Sequence, residues 1–271
     1  MIMKYLSFIY VSLFLSACLV SCGGGDDDNA GGDEPPRAQA EISVSDDVVG
    51  AFQVVLLSVN YITDNPNYLV TWYADGEKLN SIPKSEFNID WKPLSVGSHL
   101  IEVAITDRDK VMKYQKSIEV VETELGDAII GDSKAKIART LGTDETSDVI
   151  TYHQSYTTTY KYYFAQDKLR KIYYEYDVAL TPRKETDYMM PITTFSAAFN
   201  RYKNKYGEPT YENYTQLETS RSKIVEYGGH IYSGGMHIQA IFQSSTRMAE
   251  IYVGPHKGGM GFTYTETLQD K

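Results

Sequence analysis

Cysteine is almost missing from this chain: only Cys18 and Cys22 occur in 271 residues, and none follows. The remainder can therefore hold no disulfide, no cysteine-ligated metal and no thiol nucleophile. Basic clusters are absent as well. Lys and Arg number 26 against 36 Asp and Glu, with no basic stripe, so nucleic acid is not an expected partner. Histidine is scarce, at five residues. The long apolar stretch at Tyr5 to Leu19 is shorter than the roughly 20 residues that span a bilayer and is followed by Gly and Asp rather than basic stop-transfer residues.

The start of the chain has Lys4, an apolar core and then small residues before a cysteine, which is the layout of a secretory signal peptide. Leu19-Val20-Ser21-Cys22 resembles the bacterial lipobox, in which the cysteine is acylated and becomes the new N-terminus. Leu15-Ser16-Ala17-Cys18 also fits that pattern; Cys22 is preferred because a flexible acidic run follows it directly. Residues 23–36 carry Asp26, Asp27, Asp28, Asp33 and Glu34 among Gly, Asn, Ala and Pro, a composition that cannot bury enough apolar surface to fold. The run is similar to the leaders of Bacteroidota lipoproteins. That resemblance implies a membrane partner reached through an N-terminal lipid, on the outer membrane and facing outward. The expected divisions are a signal peptide at 1–21, a lipidated tether at 22–36, and two folded regions at 37–123 and 124–271.

Between residues 37 and 123, short β-rich runs alternate with turn residues. Strands are expected at Ala38 to Val44, Phe52 to Val59, Tyr68 to Tyr73, His99 to Thr106 and Val111 to Val121. Ile101, Val103 and Ile105 alternate with Glu102 and Ala104, as in a strand with one buried face. The pattern implies an antiparallel β-sandwich. Trp72-Tyr73-Ala74-Asp75-Gly76 and Leu94 to Val103 resemble parts of Ig-like and PKD-like modules, although the cysteine pair and the corner tyrosine are missing and His99 stands at the corner. His99 is expected to bind backbone, and Asp107 and Asp109 to form a solvated turn. The region's expected role is a spacer.

Residues 124–271 read as helix, strands, helix, strands: an α+β domain with an antiparallel sheet. Ser133 caps a short helix ended by Gly142, and Thr193 or Thr194 caps a second, striped by Phe195, Phe199, Tyr202 and Tyr206 and ended by Gly207. Strands are expected at about 148–152, 158–164, 169–176, 211–216, 221–227, 237–243 and 248–253. Phe164 to Tyr173 aligns with Phe242 to Tyr252 as a faint internal repeat, so the layout resembles the tandem helix-plus-sheet repeats of β-lactamase inhibitor protein and of small assembly lipoproteins.

Searches for chemistry give little. Ser233-Gly234-Gly235 follows no nucleophile-elbow pattern and reads as a hairpin turn; His230 and His237 would face each other across it without an acid to complete a metal set. No paired carboxylates suit glycoside hydrolysis. No catalytic residue, cofactor or metal is assigned. Tyrosine is the outlier, with 17 of 23 after residue 150. If Phe164 and Ile172 point inward, Tyr163 and Tyr173 face out beside Lys161 and Lys171, a ligand-binding candidate for a glycan or protein partner. The expected function is a non-enzymatic surface lipoprotein; the alternatives are a periplasmic envelope-assembly lipoprotein and, third, a hydrolase.

Overall fold

Alternation of buried and exposed side chains builds most of the structure. The computed structural model describes residues 40–80, 87–144 and 146–271. The signal sequence, Cys18, Cys22 and the tether lie outside the described residues.

The first region holds β1 (Glu41–Val44), β2 (Val49–Gly50), β3 (Val55–Asn60), β4 (Leu69–Ala74), β5 (Glu77–Lys78), β6 (Asn88–Trp91), β7 (Gly97–Asp107) and β8 (Lys110–Val121). A three-stranded sheet in the order β1-β3-β6 faces a five-stranded sheet in the order β2-β8-β7-β4-β5. Val55, Leu57 and Val59 from one sheet meet Val70, Trp72, Ile101, Val103 and Ile105 from the other, all buried. This is the expected sandwich, with the five expected strands in place and three short ones added. β6 escapes sequence reading because only Trp91 and Ile89 of its four residues turn inward. Asp107 departs from the solvated-turn reading: its carboxylate accepts hydrogen bonds from Tyr61 Oη at 2.8 Å, Thr63 Oγ1 at 2.6 Å and Asn65 Nδ2 at 2.7 Å, pinning the loop after β3.

The second region follows with α1 (Lys134–Leu141), β9 (Val149–His153), β10 (Thr158–Ala165), β11 (Lys168–Ala179), α2 (Glu185–Tyr206), β12 (Tyr211–Glu212), α3 (Arg221–Tyr232), β13 (Ile238–Gln243), β14 (Arg247–Pro255) and β15 (Gly261–Asp270). Its strands form one seven-stranded antiparallel sheet in the order β12-β13-β14-β15-β11-β10-β9. α2 and α3 pack on one face, where Phe164, Leu169, Ile172, Phe242, Ile251 and Phe262 are buried, and Ile137 and Ala138 of α1 join the same core. The aligned repeat segments fall on β10–β11 and on β13–β14. These hairpins flank β15 on either side, β14 and β11 each pairing with it and β13 and β10 each lying one strand further out.

Three sequence expectations are corrected. Residues 221–227 form a helix, not a strand: Ile224, Tyr227 and Ile231 recur at helical spacing, and Ile231 and Tyr232 are buried against the sheet. Gly234 and Gly235 consequently close α3 instead of turning a hairpin. The second helix starts at Glu185, ahead of the threonines, where Asp187 accepts the backbone N–H of Arg183 at 2.9 Å and Lys184 at 3.0 Å. Pro191 lies inside it and leaves the Asp187 carbonyl without its helical donor; the Tyr232 hydroxyl of α3 supplies one at 3.0 Å. The final strand, β15, was not anticipated at all, because its Thr-Tyr-Thr-Glu-Thr pattern carries few aliphatic residues.

The two hydrophobic cores remain separate, one built from residues 42–120 and the other from 128–268, yet Ala38 to Lys271 forms one compact unit. α1 makes the connection. Lys136 is 1% exposed; its ammonium donates to the Val48 carbonyl at 2.6 Å and to Asp132 Oδ1 at 2.8 Å. Asp132 Oδ2 accepts from Gln53 Nε2 at 2.6 Å and from the Ile129 N–H at 2.7 Å. Thr140 Oγ1 accepts the Val54 N–H at 3.0 Å. The sandwich is thus fastened to its neighbour by polar contacts.

Two measurements test this packing. Lys136→Ala leaves a buried carboxylate unpaired and should lower unfolding free energy by about 3–5 kcal/mol in chemical denaturation, whereas Asp132→Leu with Lys136→Met should cost less. At Gly228 a Cβ would overlap the Tyr188 carbonyl where α3 crosses α2, so Gly228→Ala should destabilise by about 1–3 kcal/mol, read as a fall in Tm. A Gly228→Ala protein as stable as the parent would contradict the close helix crossing.

Candidate functional site

The outward face of the seven-stranded sheet holds the four side chains singled out from the sequence. Tyr162 and Ile172 are cross-strand partners and both are buried, which sends their neighbours outward. A β-bulge shifts the register between Tyr163 and Phe164, so Leu169 and Ile172 both reach the core although three residues apart. Lys161 stands opposite Tyr173 and Tyr163 opposite Lys171. Each ammonium lies over the facing ring, at 5.8 Å from the Tyr173 centroid and 5.4 Å from the Tyr163 centroid. These residues are part-exposed, and among the described residues no helix packs on their face.

Polar groups extend the patch. The Tyr173 hydroxyl donates to Glu175 Oε2 at 2.7 Å; burial and that carboxylate raise the phenol above its ordinary value, so it stays protonated. Asp177 Oδ1 accepts from Thr263 Oγ1 at 2.5 Å and from His256 Nδ1 at 2.8 Å. Burial pushes Asp177 upward, but the two hydrogen bonds outweigh it and hold the carboxyl below the usual range. Tyr252 carries His237 stacked at 5.7 Å between centroids. Such a face offers fixed cations, phenol edges and acceptors for a broad contact.

Sequence reasoning missed the second cluster, on the helix side of the sheet. Glu266 of β15 is 5% exposed and accepts from the Tyr202 hydroxyl at 2.8 Å, the Tyr264 hydroxyl at 2.7 Å and the Arg201 guanidinium. Burial and this shared carboxylate raise both phenols. Arg201 also covers the Tyr202 ring at 5.0 Å. Tyr174 is the cross-strand partner of Glu266, Tyr160 that of Tyr174, and Tyr152 that of Tyr160. The signal was present in the strand alternation: Tyr160, Tyr162 and Tyr174, Tyr176 lie on the face opposite Tyr163 and Tyr173.

The sandwich contains a third arrangement, around a cleft of about 480 Å³ lined in part by Asp75, Trp91, Ser95 and His99. His99 Nδ1 meets Asp75 Oδ2 at 2.6 Å, while Nε2 meets the Ser95 carbonyl at 3.0 Å and Ser95 Oγ at 3.5 Å. Both near partners are acceptors, so both ring nitrogens donate, and no lone pair is left to take a proton from Ser95. The imidazole fastens the corner, binding backbone there as expected. Burial pulls its pKa down, but the bonds to Asp75 and Ser95 outweigh that and place it above its ordinary value.

His230 and His237 are not brought together across a hairpin. His230 lies on α3, 3.9 Å from Glu226, and His237 precedes β13. Among the described residues, no three His, Cys, Asp or Glu side chains cluster as a metal site.

No protein-family model matches the chain, and no curated protein matches it. Among solved structures, it is similar to the fibronectin(III)-like modules of CbhA from Clostridium thermocellum at 17% identity and a TM-score of 0.25, over 31% of this chain and 96% of that one. A hot dog fold protein from Alicyclobacillus acidocaldarius shares 10% identity at a TM-score of 0.16, over 84% of this chain and 96% of that one. Similarities this slight add no functional argument.

A group whose folded pKa is raised contributes stability below its unfolded value, about 6.5 for histidine, and loses it as pH rises through the folded value. The sandwich should therefore melt at a lower temperature at pH 8.5 than at pH 6 through His99, and His99→Gln should flatten this difference. An NMR titration placing the His99 midpoint below 6.5 would contradict the assignment.

Proposed function

We propose that the protein is a non-enzymatic lipoprotein anchored through Cys22 to the outer membrane, presenting its α+β domain at the cell surface to a glycan or protein. The lipobox and acidic tether support the address. The observation that carries the binding role is the convergence of Tyr163, Tyr173, Lys161 and Lys171 in two reciprocal pairs on an uncovered sheet face. Because the ammonium groups already lie over the ring faces, what this surface offers is cationic charge and phenol edges. An acidic protein surface or a charged glycan suits it better than a sugar stacked face-on.

We also read the sheet as a tandem repeat, in keeping with the resemblance to β-lactamase inhibitor protein in layout. Its support is the strand order: β9–β10–β11 and β13–β14–β15 are antiparallel meanders that meet along β11 and β15, each preceded by helix.

Protease shaving of intact cells should remove the protein, since a periplasmic protein would be spared. In pull-down and glycan-array screens, Lys161→Glu with Lys171→Glu should weaken capture about tenfold or more and reduce its salt dependence. Capture indifferent to this reversal would sink the outer-face site.

A further inference from the structure

The inner face of the sheet carries a row of half-buried rings that the surface role does not use. Tyr152, Tyr160 and Tyr174 are direct cross-strand neighbours on β9, β10 and β11, with Glu266 next in line on β15. Rings of Tyr160 and Tyr174 stand 4.9 Å apart, and Tyr174 meets Tyr264 at 6.0 Å. α2 and α3 lie over β13, β14 and β15, so the row extends past their cover and its side chains remain part-exposed.

Polar groups frame the row. Among the described residues, the hydroxyls of Tyr152, Tyr160 and Tyr174 have no hydrogen-bond partner, in contrast to those of Tyr162, Tyr202 and Tyr264. Burial raises the Tyr160 phenol to about 12, so it is present as donor and acceptor at neutral pH. At one end, Arg201 is anchored by Glu266 while its side chain is 54% exposed. Over the strands comes the loop at Gly126 and Asp127, approached so closely that a Cβ on Gly126 would lie 2.6 Å from the Tyr160 ring. The Tyr162 hydroxyl holds this loop by donating to the Gly126 carbonyl at 2.7 Å.

We propose that this row is a second binding site, for a linear neutral oligosaccharide lying across β9, β10 and β11. Strands are spaced about 4.8 Å apart, comparable with the length of one pyranose unit in an extended glycan, so successive sugar rings meet successive tyrosines. Because Tyr160 is hemmed in by Tyr162, Tyr174 and the Gly126 loop, the sugars meet the outer edges of the rings, and their hydroxyls pair with the phenols, the free edge of Arg201 and the Asp127 carboxylate. Arg201 is offset by Glu266, and Asp127 adds negative charge; an anionic ligand is therefore disfavoured here, unlike on the outer face.

The site lies on the opposite face from Tyr163 and Tyr173, so its failure and that of the surface reading are separable. The test is affinity electrophoresis of the full chain through gels containing a soluble β-glucan, α-mannan, xylan or galactan. At least one should retard the protein. Tyr160→Ala with Tyr174→Ala should abolish retardation, while Tyr163→Ala with Tyr173→Ala should leave it unchanged. Tyr160→Phe with Tyr174→Phe keeps the ring packing, and this pair, verified as folded by its melting curve, should bind about tenfold more weakly. Lack of retardation in all four gels, or retardation that survives both Tyr160 and Tyr174 double variants, overturns the proposal.

Discussion

A buried ammonium decides how this molecule is put together. Lys136 has lost nearly all contact with water, and a bare charge in that position would be too costly to keep. It survives because Asp132 and the Val48 carbonyl accept its hydrogen bonds, while Gln53 and the Ile129 N–H satisfy the rest of Asp132. Val48 and Gln53 belong to the sandwich, Asp132 and Lys136 to the region after it. Neither half can withdraw without exposing or orphaning a charge, so geometry at this joint is specified more sharply than apolar contact alone would specify it.

From that joint the α+β region is laid out in one direction. α1 adds Ile137 and Ala138 to its core, and α2 and α3 lie mainly over β13 to β15. Covering half of the inner face has two consequences. Phe195, Phe199, Tyr202 and Phe242 form a closed aromatic core beneath α2, and the tyrosines on β9 to β11 are left at its margin. Among the described residues the outer face receives no helix, and its polar side chains pair among themselves, lysine over tyrosine and carboxylate beneath hydroxyl.

Much of this was legible in residue order. Ile101, Val103 and Ile105 announced β7 by strict alternation, and Phe195 to Tyr206 announced the second half of α2 by helical spacing. The outward pairing of Tyr163 and Tyr173 with the lysines followed from placing Ile172 inside. Less was legible where local preference and tertiary demand disagree. Pro191 marks a break to any sequence reading, yet the helix continues through it because Tyr232, 41 positions later, supplies the missing donor. Gly228 and Gly229 argue against a helix at α3; burial of Ile231 and Tyr232 supports it, and the missing side chain at Gly228 lets it pass close to the Tyr188 carbonyl.

By itself the sequence determined most of the kinds of element, the confinement of cysteine to positions 18 and 22, and the alternation that divides the tyrosines into two sets. These are local properties, set by side-chain period and residue type. Which tyrosines stay open was decided only by tertiary structure, because that depends on how far α2 and α3 reach across the sheet. The union of sandwich and sheet was likewise a tertiary decision. Asp132 and Lys136 are four residues apart on paper, and nothing in that spacing says that Gln53 and Val48 will complete their shell.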